Sequence, residues 1–449
     1  MNEIQARLAA LGVGIPEILL PRSGTDLSKW AVIACDQFTQ DRNYWEQVKK
    51  AIDGAPSCLN LIFPEAFLEA VYLEDSSAKT VPRRIHDIRN SMDSYIGGKI
   101  FAPPRRCGVY LERSTPLHPR RRGLVLAVDL EQYNWAPESR PLIRSTEETV
   151  KERLPPRMEI RRGAPLELPH ILLLIDDEED RLIPSLGEIA RKRPPLYETP
   201  LMMNSGAVTG WPVDTEDAWA VLAEGLEALA EKSAGRYGGA SPLAGASPFL
   251  FAVGDGNHSL ATAKAIWEEY KKAHASETTG SAETSPSTEG VASAADHPAR
   301  WALVEVENLY DPGIRFEPIH RLIFGAEPDE LLDALSVLKD IRCRPENEEG
   351  RVIRIENLSP DIATASLQPL LDDFVKRKGL SIDYIHGEDE LIRLASDPAR
   401  PAVGLILPPV RKDGLFKTVA QTGPLPRKSF SMGESWEKRF YLECRRLFG

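Results

Sequence analysis

The run Gly254-Asp255-Gly256-Asn257-His258-Ser259 sets an acid, an amide, an imidazole and a hydroxyl among two glycines. Glycine lets the backbone turn at positive φ and come close to a ligand. The N–H groups that open a following helix favour an anion. A phosphate group is therefore the expected guest: Gly254, Gly256, Asn257 and Ser259 hold it, Asp255 binds or orients a metal, and His258, a catalytic candidate with Asp255, hydrogen-bonds the substrate or phosphate. Asp, Asn and Ser are also ordinary helix-capping residues, so the composition alone fits a plain joint as well.

The flanking residues make the stronger case. Phe249 to Val253 is an unbroken apolar run, the mark of a buried strand, and Leu260, Ala263, Trp267 and Tyr270 recur at helical spacing. The turn thus joins a strand to a helix, with a Gly-, Ser- and Pro-rich stretch, Ala234 to Pro248, ahead of it.

Other residues carry chemistry of their own. Asp176 and Asp177 end the apolar run Leu172 to Ile175, where paired carboxylates suit a hard cation such as Mg²⁺. They run on into Glu178, Glu179 and Asp180, which equally fits a solvated helix start. In the extended segment Phe316 to Arg321, Glu317 and Arg321 share one face and His320 the other. Glu317 is a general-base candidate, and His320 and Arg321 are ligand-binding candidates. Arg427 and Lys428 precede Ser431-x-x-Glu434, read as a capping box opening a last helix, so the pair is expected to cradle phosphate. Arg144 to Glu148 has the composition of another helix start, with Ser145 or Thr146 as cap and a carboxylate to spare.

Strands are expected at Trp30 to Cys35, Gly108 to Glu112, Leu124 to Leu130, Ile171 to Ile175, Phe249 to Val253, Trp301 to Val306, Val352 to Ile355 and Val403 to Leu407. Helices are expected at Asp41 to Ile52, Pro82 to Ile96, Thr146 to Leu154, Asp214 to Lys232, His258 to Ala273, Pro328 to Lys339, Leu367 to Lys378 and Gly433 to Leu447. Tyr197 to Gly206 reads as irregular. The class is mixed α/β (α+β), with central mixed sheets and flanking helices. Residues 275–296 hold little beyond Ser, Thr, Glu, Gly and Ala, a composition that cannot bury enough apolar surface to order itself. They are expected to be a disordered insertion between an N-terminal portion, 1–274, that carries the turn and a C-terminal portion, 297–449.

With 449 residues, 42% of them hydrophobic, the chain can build a large core. Lys and Arg number 55 against 67 Asp and Glu, a net charge of −12. That disfavours broad attachment to nucleic acid or an acidic membrane. No apolar stretch reaches membrane-spanning length, and the N-terminal residues do not read as a leader. A cytoplasmic protein is expected, with its five scattered cysteines reduced.

The stretch Val253 to Lys264, together with Ala302 to Asp311 and Phe316 to Arg321, resembles a bacterial and archaeal group catalogued as the domain of unknown function 1015 family. Leu172 to Asp177, Met202 to Gly206 and Arg427 to Ser429 fit the same group, which implies no settled activity. Many members carry Asp-Gly-His-His-Arg at the turn, similar to the signature of the ParB-like superfamily with its free-serine kinases. That likeness implies a loop serving nucleotide phosphates and metal, with an acid elsewhere activating a hydroxyl. Here Asn257 replaces the first His and Ser259 the Arg, so a phosphate needs another cation, with Arg321, Arg427 or Lys428 as candidates. The expectation is a kinase-like phosphotransferase using Mg²⁺ and a nucleotide on a small hydroxyl metabolite. The alternative is a non-catalytic metabolite sensor or scaffold.

Overall fold

The computed structural model describes the chain except for residues 1, 40, 69–79, 238–246, 280–296, 348–349, 360–361 and 449. Helices and mixed sheets make it an α/β protein. Two compact units emerge. The first comprises Met1–Arg144, Thr149–Gly313 and Ser435–Gly449, and the second Ser145–Glu148 and Ile314–Glu434.

The first unit is built on a sheet whose central strands are Ala207–Val213, Gly108–Ser114, Arg121–Asp129, Trp301–Asn308, Leu172–Ile175 and Phe251–Asp255, in that spatial order. Pairing is antiparallel except between Trp301–Asn308 and Leu172–Ile175, which run parallel. The sheet separates two cores, which explains the near-continuous apolar runs in its strands. Leu124, Leu126, Val128, Val304 and Val306 face one core, covered by Leu222, Leu226, Leu260 and Trp267 of the helices Glu216–Tyr237 and Asn257–Thr279. The interleaved Val109, Leu111, Val125 and Leu303 face the other, with Trp30, Trp45, Phe63, Met92 and Tyr441. Side chains two apart along a strand share a face, so each strand serves both cores.

The second unit has strands in the order Ile341–Pro345, Val352–Asn357, Ala402–Ile406, Phe316–Phe324 and Ser381–His386, with Phe430–Met432 added along Phe316–Pro318. The helices Pro328–Leu335 and Thr364–Lys378 cover Ile323, Ile353, Val403 and Leu405.

Several expectations are corrected. Gly433 to Leu447 is not a helix: after a short 3₁₀ turn, Ser435–Glu437, it runs extended, pairing Phe440 with Ile33, Tyr441 with Val32 and Arg445 with Glu167. Glu437 to Arg445 is buried on every side, charges included, so tertiary ion pairs override its helical spacing. The last-helix N-terminus expected beside Arg427 and Lys428 is therefore missing. Thr146 to Leu154 is not a helix either. Residues Ile143–Ser145 form a strand, Glu147 bridges to Leu425, and the helix Leu154–Arg161 starts where Pro155 and Pro156 suit a first turn. Tyr197 to Gly206 contains the strand Tyr197–Pro200, paired with Ala207–Val213. Leu27–Trp30 is a helical turn, which shortens the strand expected at Trp30 to Val32–Ile33. The helix from Asn257 continues to Thr279, five residues into the expected insertion, and 280–296 lie outside the described residues. Cys35, Cys58, Cys107, Cys343 and Cys444 are free thiols.

Candidate functional site

The turn begins with a fault in the sheet. Val253 pairs with Leu173, but Asp255, two residues on, pairs with Leu172, so Gly254 is an extra residue in the ladder. A bulge of this kind re-aims the side chain that follows it. Gly256 then takes φ +81°, and a Cβ there would stand 3.1 Å from Ile171 Cα. Both the dihedral and the close approach favour glycine. The Gly256 N–H donates to Asp255 Oδ1 (2.9 Å), and the N–H groups of Ser259 and Leu260 donate to the Gly256 carbonyl (3.0 Å each).

Around this joint the first unit collects polar groups from distant segments. Lys438 Nζ is 3.1 Å from Asp255 Oδ2, and the ammonium is buried while the carboxylate keeps a quarter of its surface exposed. Ser259 Oγ lies 2.6 Å from His170 Nε2, and His170 Nδ1 lies 2.7 Å from the Tyr441 hydroxyl. That hydroxyl accepts from the Cys35 N–H and donates toward Cys35 Sγ, each at 3.2 Å. The Asp36 carboxylate is 3.8 Å from His170 Nε2. Burial works against its ionisation, but His170, Lys438 and Arg157 outweigh burial and hold it below the usual carboxylate range. Burial pushes the Cys35 thiol and the Tyr441 phenol far up, so neither ionises near neutral pH. The side-chain carbonyl Oδ1 of Asn257 is buried without a hydrogen-bond partner among the described residues. A cavity of about 140 Å³ opens beside the cluster, its lining including Cys35, Glu65, Arg157, His170, Ser259 and Tyr441 together with many apolar side chains.

Arg439 ties these segments together. Its guanidinium donates to the Pro169 carbonyl, next to His170, and pairs with Glu305 and Glu443, while its own carbonyl accepts from the Ala34 N–H. The pieces carrying Asp36, His170 and Lys438 are thereby anchored to one buried residue.

The remaining candidates stand elsewhere. His258 Nε2 accepts from the Val150 N–H (3.2 Å), so its ring fastens a neighbouring loop. Asp177 caps the helix Leu182–Ala190 by accepting from Arg181 and Leu182 (2.8 Å each), and Asp176 accepts from the hydroxyls of Tyr237 (2.5 Å) and Tyr310 (3.0 Å). Glu317, His320, Arg321, Arg427 and Lys428 belong to the second unit. Glu317 pairs in register with Ser431. Arg321 is fully buried, donating to Gln368 Oε1 (2.7 Å) and the Ile319 carbonyl (2.5 Å), with its guanidinium 4.7 Å from the centre of the Tyr384 ring. Arg427 approaches the same ring at 5.4 Å. His320 is buried and accepts from the Leu407 N–H through Nδ1, and burial lowers its pKa to about 4. Lys428 adopts φ +59°, and the main-chain donors of Lys428, Ser429 and Phe430 converge on the buried carboxylate of Glu147. The donors of the basic loop thus already hold an anion, one supplied by the chain.

Asp36, His170, Lys438 and Tyr441 were not singled out from sequence. Each is a single polar residue beside a short extended segment, and the segments are brought together only by pairing over hundreds of residues.

Residues 19–376 match the family described as "Protein of unknown function (DUF1015)". The chain belongs to that family. No curated protein matches it. Solved structures similar to this DUF1015 protein include a conserved hypothetical protein from Pyrococcus furiosus, at 9% identity and a TM-score of 0.32, covering 70% of this chain and 93% of that one. Mutant forms of a free serine kinase, in complex with AMP (9% identity, TM-score 0.34) and with ADP (10%, 0.33), each cover 70% of this chain and 90% of theirs. Superpositions at that level say nothing about what the DUF1015 protein binds. Among its described residues, no helix is long and apolar enough to cross a membrane.

Proposed function

We propose that the protein binds a phosphorylated small molecule, a nucleotide in the first instance, at the Gly254–Ser259 turn and transfers a phosphoryl group to a small hydroxyl compound. The observation that carries this is the Asp255–Lys438 pair: a bulged, glycine-permitted turn meets a buried cation supplied from the far end of the sequence. Such a cation can neutralise charge that develops on a transferring phosphoryl group. Gly256 lets the main chain approach, and the unpartnered Asn257 carbonyl awaits a donor from the guest. The base and cation roles expected of Glu317, Arg321, Arg427 and Lys428 pass to His170, Asp36 and Lys438, which the first unit supplies by itself.

In the transfer, the acceptor oxygen bonds to phosphorus as the bond from phosphorus to the leaving phosphate oxygen breaks. The hydroxyl proton moves to His170, and the ionised Asp36 beside the ring stabilises the imidazolium that forms. Among the described residues, no group of three or more His, Cys, Asp or Glu side chains converges to hold a metal ion. Mg²⁺ in phosphoryl transfer commonly rests on one or two carboxylates plus the phosphate oxygens, and Asp255 fits that modest demand. When bound, it would add charge neutralisation.

The second reading, a sensor that retains its ligand without turnover, is favoured by the prior engagement of His258 with Val150 and of Lys438 with Asp255. Thermal unfolding with ATP, ADP and CTP, each with and without Mg²⁺, tests the binding. Labelled phosphoryl transfer to a mixture of small hydroxyl compounds then separates enzyme from sensor. Absence of stabilisation by every nucleotide would remove both nucleotide readings.

A further inference from the structure

The cavity beside Ser259 is walled mainly by apolar side chains. Leu61, Ile62, Phe63 and Met92 are buried, and Ile160 and Leu168 join them. Its volume of about 140 Å³ is close to that of a well-studied engineered cavity of about 150 Å³, lined by Leu, Ile and Phe, that takes up benzene. Ser259 and His170 line the same space and are hydrogen-bonded to each other. The Glu65–Arg157 and Glu167–Arg161 pairs (2.5 Å each) also line it, so the charges at the wall are neutralised in pairs. Compact hydrophobic walls with a few polar groups are what a site presents to a ligand whose body is apolar and whose reacting group is single.

Resting on the phosphotransferase reading above, we propose that the acceptor is an alcohol with an apolar body of about six carbons. The hydrocarbon part fills the cavity between Ile62, Phe63 and Met92, and the hydroxyl takes over the hydrogen bond to His170 Nε2 that Ser259 Oγ makes, the serine side chain turning aside. Sugars and polyols are disfavoured, because the charged groups at the wall are already paired, Glu65 with Arg157 and Glu167 with Arg161 and Arg445, and the rest of the wall is mainly apolar, so ring hydroxyls would lose water without full replacement.

A chain-length series on the wild-type protein tests this without any nucleotide. Binding of ethanol, n-butanol, n-hexanol, n-octanol and n-decanol is measured by displacement of 4-fluorobenzyl alcohol in fluorine NMR, with glycerol as the polar control. Affinity rises about fourfold per methylene up to about six carbons and then levels off, as the value of a buried CH₂ and the size of the cavity require. Glycerol does not compete. Absence of saturable binding by 4-fluorobenzyl alcohol overturns the proposal, and so does a rise that continues through n-decanol. Ile62→Trp, which fills the cavity, abolishes displacement while leaving nucleotide-induced stabilisation intact; unchanged alcohol binding in a folded Ile62→Trp protein also overturns it. A series that levels off without phosphoryl transfer keeps the cavity assignment and removes the phosphotransferase, whereas transfer to acceptors that ignore chain length does the reverse.

Discussion

Asp255 and Lys438, 183 positions apart in sequence, form a 3.1 Å ion pair in which the ammonium is buried and the carboxylate faces the turn. The pair makes the turn more than a capped joint. A neutral side chain at 255 leaves the buried lysine with only the more distant Asp36 charge, and removing the direct partner of a buried charge commonly costs a few kcal/mol. Partial exposure of the carboxylate reduces this toward about 1–2 kcal/mol, because solvent screens the pair. Asp255→Asn is therefore expected to fold with a modestly lowered Tm and to lose nucleotide-induced stabilisation and turnover. Lys438→Met is expected to fold and to lose both as well. Full ligand-induced stabilisation in folded Lys438→Met, measured by thermal unfolding, would show that the cation has no part in binding.

Gly123 is expected to be intolerant of a methyl group for a reason that its own φ does not give. A Cβ at that position would stand 2.1 Å from Glu305 Oε1. Gly123→Ala must displace Glu305 from Arg439, the residue that anchors the segments carrying Asp36, His170 and Lys438. Disturbing a buried pair of this kind is expected to cost about 3 kcal/mol or more in urea unfolding. A loss under about 1 kcal/mol would mean that Glu305 has another place to go.

The strand–turn–helix around Gly254–Ser259 was legible because three local signals agree: an apolar run, paired glycines and helical spacing from Leu260 to Tyr270. The strands Gly108–Ser114 and Trp301–Asn308 were legible for the same reason. The Lys438–Tyr441 segment was not. Phe440, Tyr441, Leu442 and Leu447 mimic a helical stripe, and Glu305, Ile33 and Val32, all remote in sequence, draw the segment into extended pairing. The edge strand Ser381–His386 was missed because its outward residues are polar and its apolar signal is reduced to Ile382, Tyr384 and Ile385. Site residues brought together by such pairing carry no signal in their spacing along the chain: Asp36 and His170 stand alone in sequence, whereas Glu317 and Arg321 share one face of a single extended segment.

His320 and Glu307, one in each unit, contribute to stability with opposite dependences on pH. Burial lowers the His320 pKa to about 4, below its ordinary value, so between about pH 6.5 and 4 the unfolded chain takes up a proton that the folded unit refuses. The stability of the second unit therefore falls as pH drops through that window. Glu307, in the first unit, is pushed up to about 8 by burial and by neighbouring Glu305, against the pull of Arg121. Between about pH 4.5 and 8 the folded unit keeps a proton that the unfolded chain releases, so that contribution to stability falls as pH rises. Urea titrations across pH 4 to 9 of His320→Asn and Glu307→Gln are expected to flatten the acid limb and the alkaline limb respectively. Unchanged pH profiles in both variants would contradict these assignments.

Glu147 is the last test, because it separates a carboxylate that shapes a loop from one that does chemistry. Its carboxyl, raised above the usual range by burial, is held by the Ser429 N–H at 2.9 Å and by the main-chain donors of Lys428 and Phe430. Truncation to Ala leaves those donors buried and unpaired, at about 1–3 kcal/mol for each group left without a partner. Gln keeps an acceptor of nearly the same shape and should restore most of the loss. Glu147→Ala is therefore expected to speed amide hydrogen exchange at Lys428–Phe430 and to lower the stability of the second unit, and Glu147→Gln to do little of either. If Glu147→Gln instead abolishes activity while exchange at the loop is unchanged, the carboxylate acts as an acid or base, and the catalytic assignment moves from His170 to the second unit.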